Sequence, residues 1–224
     1  MNDVNGNKWN RQRLSRWAGV IAPPLFVLTF TLEGWLRPGY DPRAMYISAL
    51  SLGPRGWVQI ANFLQLGFLL LIFTRALPGA FANQKAARRS AVLLTILALL
   101  FLLSGPFVMD PDGTPPDRMS VHGLIHGLAG GIVFLLMPVT IWVFLPALRV
   151  RAPKSALAHW TLTLGLFDAL AVLFFTVASK SPQLQIVFTG WFGLIQRAAL
   201  VPFMAWLFLL AIDLLGKNYK ETMT

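Results

Sequence analysis

An all-α, polytopic membrane fold is predicted by three features of the sequence. Of the 224 residues, 56% are hydrophobic and 12% are charged, whereas an ordinary soluble domain has about 25% charged residues. Apolar runs of roughly 20 residues recur, and each is long enough to cross a bilayer core as a helix. The absence of Cys and of any repeating unit excludes a disulfide scaffold and a fibrous protein. We therefore expect one transmembrane domain at 17–215, between tails at 1–16 and 216–224.

Six membrane spans are predicted from apolar runs bounded by charges or by Pro and Gly. They cover residues 17–36, 57–77, 90–109, 121–148, 158–178 and 187–215. The first span ends at Leu36, Arg37 and Pro38 without a small-residue cleavage site, so we expect a retained helix rather than a cleaved signal peptide. The fourth and sixth exceed the bilayer thickness and are expected to tilt or to emerge at their ends.

The distribution of basic residues predicts the orientation. Thirteen of the 19 Lys and Arg residues flank one face, namely Lys8, Arg11, Arg13, Arg16, Arg75, Lys85, Arg88, Arg89, Arg149, Arg151, Lys154, Lys217 and Lys220. Cytoplasmic flanks are rich in Lys and Arg, so both termini are expected in the cytoplasm and the protein in the cell membrane. Because this charge is spread over short helix flanks, we expect anionic lipid headgroups at that face as partners and no nucleic acid.

Polar residues within the spans are concentrated in the outer half of the predicted bundle. Asp168 and Arg197 fall at similar predicted depth with opposite charge, and we expect them to pair across the fifth and sixth spans, with Gln196 completing the network. Two interpretations stay open. The pair is either a clamp that fixes helix order or the charged floor of a ligand cavity.

The connection between the third and fourth spans is the most informative segment. The run DPDGTPPD at 110–117 predicts a short rigid turn, and Asp117 or Ser120 is expected to cap the following helix. Arg43, in the first outer connection, is expected to reach this acidic turn. Ser48 and Ser51 in that connection predict an interfacial helix rather than a nucleophile, since no G-x-S-x-G surrounds them.

Two periodic patterns follow at the start of the fourth span. His122 and His126 are four residues apart, so both imidazoles are expected on one helix face. A neighbouring stripe of Gly123, Gly127 and Gly131 predicts close approach of another helix, within the chain or in a homo-oligomer.

The histidine pair is suited to more than one chemistry. His122, His126 and Asp110 are candidate ligands for a divalent metal such as zinc, and also candidate catalytic residues, with Glu33 or Asp112 as base. The motif lacks the Glu of H-E-x-x-H. The alternatives are hydrogen bonds that hold the outer bundle together, or proton-linked ligand binding.

Four segments of the chain resemble the domain of unknown function 998 family, uncharacterised bacterial integral membrane proteins with six helices. They are YISALS with the following Gly53, NFLQLG at 62–67, FVMDPD at 107–112 and HGLIHG at 122–127. The resemblance implies a six-helix cytoplasmic-membrane protein with a characteristic Asp turn and His at the third connection. It implies no activity, and it favours Asp110, His122 and His126 as the site.

Three functions from different classes are compatible with these patterns. The first is an outer pocket that binds or handles a lipid or other amphiphile, lined by the two histidines and by the ligand-binding candidates Glu33, Asn62, Gln65, Asp168 and Arg197. The second is a metal-dependent membrane hydrolase of lipid amides or esters. The third is a structural or assembly partner, which predicts mutually satisfied polar residues and no outer cavity.

Overall fold

Eight α-helices occur in the part of the chain that the structure describes, and six of them are long and apolar enough to cross a membrane. The computed structural model describes residues 3–81, 85–151 and 155–221, and no strand occurs among them. Lys154 and the chain ends at 1–2 and 222–224, which belong to the predicted basic flank and tails, fall outside these ranges. The prediction of an all-α fold with six membrane-spanning helices is confirmed.

Each predicted span corresponds to one long helix, and the largest shifts are at the third span, predicted at 90–109 and found at Lys85–Ser104, and at the start of the sixth. The long helices are α1 (Asp3–Leu36), α2 (Gly56–Thr74), α4 (Lys85–Ser104), α5 (Val121–Arg151), α6 (Ala156–Lys180) and α8 (Phe192–Glu221), and two short ones, α3 (Leu77–Ala80) and α7 (Pro182–Val187), lie between them. The sixth span was expected to begin at residue 187. It begins at Phe192, because α7 ends at Val187 and a turn with Gly190 at a φ of 81° separates the two helices.

The six long helices pack as a ring in chain order. Each contacts the next, and α1 closes the ring against α8. Buried aromatic and aliphatic side chains fill the centre, among them Phe26, Phe144, Phe203 and Trp206. Gly67 allows tight α2–α4 packing, because a Cβ there would collide with the carbonyl oxygen of Ala98. Apolar side chains on the outer surface of the ring are exposed, as a lipid-facing surface requires.

The connection between α1 and α2, the first outer connection, folds back over the end of the bundle opposite the termini, and "outer" denotes that end from here on. It contains a buried 3₁₀ turn, Ile47–Ser51, where an interfacial helix was expected. The start of α8 holds this connection, since the amides of Gly193 and Leu194 donate to the carbonyls of Ala44 and Arg43. Glycine is required at 193 because a Cβ would collide with three carbonyl oxygens of the connection. The connection is thereby positioned over the space between α5 and α6.

Candidate functional site

A cavity of about 480 Å³ lies in the half of the bundle opposite the termini, beneath the folded-back connection. The outer parts of α5 and α6 form two of its walls, and α2, α4, α8 and the loop after α4 complete it. Such a volume is typical of sites for small organic molecules. Polar side chains are concentrated near the mouth, where the lining includes Ser48, Asp110, Asp112, Thr114, Thr176, Ser179 and Lys180. Met109, Pro111 and Met119 also line the cavity at this end.

The inner part of the cavity is apolar. It is lined by Phe63, Phe101, Val133, Phe134, Phe175 and Leu200. The α5 residues that line the cavity run from Gly123 to Phe134, about 17 Å along that helix, and Val133 and Phe134 are at the inner end. The rings of Phe134 and Phe175 are 4.8 Å apart between centroids and join the α5 and α6 walls. The cavity therefore combines a polar mouth with a hydrocarbon-like interior.

Three glycines of α5 create the open space. A Cβ added at Gly127, Gly130 or Gly131 would meet no atom within 4 Å, and all three residues line the cavity. Only Gly123 of the predicted stripe is closely packed, against the carboxylate of Asp110 rather than against a helix. The expectation that the stripe packs another helix is therefore wrong within the chain, and the missing side chains leave a cavity instead.

The loop after α4 positions the acidic side of the mouth. Asp110 accepts a hydrogen bond from the Ser120 amide at 2.8 Å, and Ser120 in turn caps α5 by accepting from the Gly123 amide at 2.9 Å. Of the two predicted caps, Ser120 is the one used. The cavity surroundings desolvate the Asp112 carboxyl and raise its pKa. Burial, and secondarily the charge of Asp112, raise the pKa of Tyr46 to about 12.

The two histidines do not share an environment. His126 is buried, lines the cavity, and its Nδ1 lies 2.7 Å from the carbonyl oxygen of Phe107. His122 is exposed, is not among the cavity-lining residues, and packs edge-on against the Phe107 ring at 5.2 Å. Within the described ranges there is no group of three or more His, Cys, Asp or Glu residues suited to a metal ion. Of the three candidate ligands, the fold brings together His126 and Asp110 at the cavity.

The predicted pair of Asp168 and Arg197 does not form. Arg197 donates to the Tyr40 hydroxyl at 2.7 Å and to the carbonyls of Gly193 and Met45. Asp168 is fully buried, and neither carboxylate oxygen has a hydrogen-bond partner within the described residues. Arg197 is five residues from the outer end of α8, about 7.5 Å, whereas Asp168 is twelve residues from the outer end of α6, about 18 Å. The two charges therefore lie at different depths.

Glu33 belongs to an ion-pair cluster at the outer end of α1 and does not line the cavity. Arg55 binds both of its carboxylate oxygens, at 3.0 and 2.6 Å, and Arg37 binds one of them. Arg37 also donates to the carbonyl of Leu52 at 2.9 Å. This cluster joins α1 to the first outer connection and to α2. The expected contact of Arg43 with the acidic turn is wrong, because Arg43 binds Asp41 at 3.1 Å.

The two amides of α2 predicted to bind a ligand also lie outside the cavity lining. Asn62 donates to the carbonyl of Phe26 at 3.1 Å and to the Gln59 side chain, so it connects α1 to α2. Gln65 is half-buried, and its amide has no hydrogen-bond partner in the part of the chain that the structure describes. Gln196 does line the cavity, where it accepts a hydrogen bond from the Ile47 amide at 2.7 Å.

Sequence reasoning missed the side of the mouth formed by α6. Thr176, Ser179 and Lys180 all line the cavity from the last turns of that helix. Their spacing of three and four residues places them on one helix face, and this face lies at the same end of the bundle as the acidic turn. That spacing is the signal that could have found them.

Comparison with known proteins identifies the family of the chain. The family model described as Protein of unknown function (DUF998) matches residues 20–213. No curated protein and no solved structure matches the chain significantly. The matched range includes every residue that lines the cavity.

Proposed function

We propose, for a chain that belongs to the family of unknown function DUF998, that this multi-pass membrane protein binds or handles an amphiphile in the cavity between α5 and α6. The observation that carries the proposal is the division of the lining. Carboxylates, hydroxyls and one ammonium group surround the mouth, and aromatic and aliphatic side chains form the interior. A lipid-like molecule has the same division between headgroup and chain.

The exposure of the α5 glycines supports entry from the bilayer. Gly127 and Gly131 line the cavity and are also exposed on the surface of the ring. A molecule with its chain in the outer half of the bilayer could therefore reach the cavity laterally, without leaving the hydrocarbon. Its headgroup would remain near the level of Asp112 and Lys180, at the mouth of the cavity.

The interior sets the preferred ligand chemistry. Phe101, Phe134 and Phe175 offer van der Waals contact to an acyl chain that enters from the bilayer. Acceptors outnumber donors among the polar side chains at the mouth, so a headgroup with several hydrogen-bond donors fits best. A role confined to structure or assembly predicts no such cavity, and the binding hypothesis is therefore preferred.

The test fills the cavity without disturbing its walls. Gly127→Leu and Gly131→Leu place side chains in open space, so both variants are expected to keep the thermal stability of the parent protein. The probe is a lysophosphatidylethanolamine with a diazirine in its acyl chain, photolysed with the detergent-purified protein. We expect labelled peptides to contain Phe134 or Phe175, and labelling to fall at least fivefold in both variants.

Gly216→Leu is the matched control, because Gly216 also has open space around its Cβ position and lies outside the cavity lining. It should label like the parent protein. Equal labelling of all variants, or adducts confined to the lipid-facing surface of the ring, would refute the proposal.

A metal-dependent hydrolase is the second candidate, and it is supported by the shared position of His126 and Asp110 at the cavity. Zinc chemistry would need a third ligand, since catalytic zinc sites use three protein side chains. Elemental analysis of untagged protein, alongside His126→Gln, distinguishes the candidates. Near-stoichiometric zinc that is lost in His126→Gln would favour the hydrolase.

A further inference from the structure

A second cavity lies on the side of the bundle that carries the termini, in the cleft between α2 and α4. Its volume is about 430 Å³, and it is lined by Thr74, Arg75, Pro78, Arg88, Ala91, Val92, Thr95 and Ile96. It shares no lining residue with the cavity between α5 and α6. Its two charged groups are guanidinium groups, one from Arg75 directly after α2 and one from Arg88 in α4.

Both guanidinium groups are available to a ligand. Arg75 and Arg88 are exposed, and neither side chain has a hydrogen bond or ion pair to another residue in the described part of the chain. No Asp or Glu occurs between Asp41 and Asp110, so α2, α4 and the segment between them supply no carboxylate to the cleft. Two arginines without acidic neighbours favour a doubly hydrogen-bonded anion such as a phosphodiester.

An apolar surface continues from the basic end of this cleft. Arg88, Val92 and Ile96 are spaced by four residues, so they follow one face of α4 towards the middle of the membrane. Val92 is 59% exposed and Ile96 is 39% exposed. On the same helix, Leu99 and Leu103 are also exposed. The arrangement fits a charged headgroup held at one end and an acyl chain lying along the helix.

We infer that this cleft is a binding site for an anionic glycerophospholipid of the leaflet on the side of the termini. Arg75 and Arg88 hold the phosphodiester, and Val92 and Ile96 contact the first acyl chain. Basic clefts between transmembrane helices recognise anionic lipids in this way. A zwitterionic lipid brings a further ammonium group towards two guanidinium groups and binds less well.

Native mass spectrometry of the full-length, detergent-purified protein tests the inference. The probe is palmitoyl-oleoyl phosphatidylglycerol, and the reference lipid is the phosphatidylcholine with the same chains. We expect one tightly held phosphatidylglycerol and at least a tenfold preference over phosphatidylcholine. Arg75→Gln combined with Arg88→Gln should abolish the preference.

The matched control removes two other arginines on the same side, Arg89 and Arg149, neither of which lines the cleft. Arg89→Gln combined with Arg149→Gln changes the net charge equally and should keep the preference. If both double variants lost the preference for phosphatidylglycerol equally, the preference would depend on the total positive charge of this face and not on the cleft. That result would overturn the site. If the Arg75 and Arg88 variant fails to fold, Val92→Trp provides a second test, because it obstructs the cleft with both charges intact and should weaken binding at least fivefold.

Inorganic phosphate distinguishes a lipid site from a site for soluble anions. The apolar face predicts that 10-fold excess phosphate over phosphatidylglycerol leaves lipid binding unchanged. Competition by phosphate at that ratio would overturn the assignment to a lipid. Gly131→Leu should leave phosphatidylglycerol binding unchanged, so this result is independent of the outer cavity.

Discussion

Arg197 has three polar partners at the outer end of α8, and none of them is a carboxylate. The phenol of Tyr40 and two backbone carbonyls satisfy it, while its guanidinium also lies 5.6 Å from the centroid of the Phe30 ring. Asp168, by contrast, is buried twelve residues from the outer end of α6. Sequence reasoning detected both charges but misjudged their relation, because an error of five residues in the start of one helix shifts depth by about 7.5 Å.

A double-mutant cycle tests this assignment at the level of single residues. Arg197→Gln removes charge-assisted hydrogen bonds and should lower the free energy of unfolding by about 2 kcal/mol. Its coupling to Tyr40→Phe should be about 1 kcal/mol, since the two side chains are in direct contact. Its coupling to Asp168→Asn should stay within about 0.5 kcal/mol. Unfolding in mixed micelles, followed by circular dichroism, measures all four terms of each cycle.

The opposite pattern of coupling energies would contradict the observed separation of Asp168 and Arg197. A coupling above about 1 kcal/mol between residues 168 and 197, with none between 40 and 197, would mean that the two charges do pair in the membrane.

Helix positions were predictable from hydropathy, because the length of an apolar run is set by the thickness of the bilayer. The packing partners of each helix were harder to predict from the sequence. The glycines of α5 have the spacing of a helix-packing stripe, and Gly127 and Gly131 nevertheless face open space. The same glycine spacing is compatible with close helix packing or with a cavity, depending on the distance to the neighbouring helix. In this protein the space beside these glycines is a cavity that α6 also lines, and the sequence of α5 alone does not contain that information.

The ion-pair cluster at Glu33 connects α1 to the first outer connection and to the start of α2. Its contribution to stability can be compared with that of the exposed ion pair between Asp41 and Arg43, at the same end of the bundle. The Glu33 side chain is 3% exposed, whereas Asp41 and Arg43 are 42% and 67% exposed. Glu33→Gln should lower the free energy of unfolding by about 3 kcal/mol, because two arginines lose their counter-ion next to buried backbone. Asp41→Asn should cost less than about 1 kcal/mol.

Thermal unfolding monitored by tryptophan fluorescence gives the ranking of these two variants directly. Arg55→Gln should be intermediate, since Arg37 still neutralises Glu33 in that variant. Equal losses for Glu33→Gln and Asp41→Asn would contradict the role of the Glu33 cluster in joining α1 to α2.

At the scale of the whole molecule, the two ends of the helix ring differ in chemistry. The end opposite the termini has the folded-back connection, the acidic loop and the amphiphilic cavity, whereas the end with the termini has most of the arginines and the cleft between α2 and α4. The sequence placed Asp110 and His126 at the first end correctly. It could not identify Lys180 or Tyr46 as neighbours of these residues, because their proximity depends on how the ring closes.

Both proposals depend on which leaflet each end contacts, and the distribution of Lys and Arg predicts that the termini are cytoplasmic. The chain has no Cys, so single cysteines report sidedness without background labelling. Gly79→Cys lies at the end with the termini and Gln183→Cys at the opposite end, and both positions are exposed. A membrane-impermeant maleimide added to intact cells should label Gln183→Cys, and should label Gly79→Cys only after permeabilisation.

The reverse labelling would exchange the leaflets of the two proposed ligands. The amphiphile cavity would then open to the cytoplasmic leaflet, and the cleft with Arg75 and Arg88 would face the leaflet outside. Because anionic lipids give the cytoplasmic leaflet a negative surface potential, a charge-selective lipid site is best supplied with ligand when it faces that side. The expected labelling would place the termini in the cytoplasm and the cleft in the leaflet where anionic lipid attracts it most strongly. Both follow from one feature, because the excess of arginine that directs insertion also provides the two guanidinium groups of the cleft.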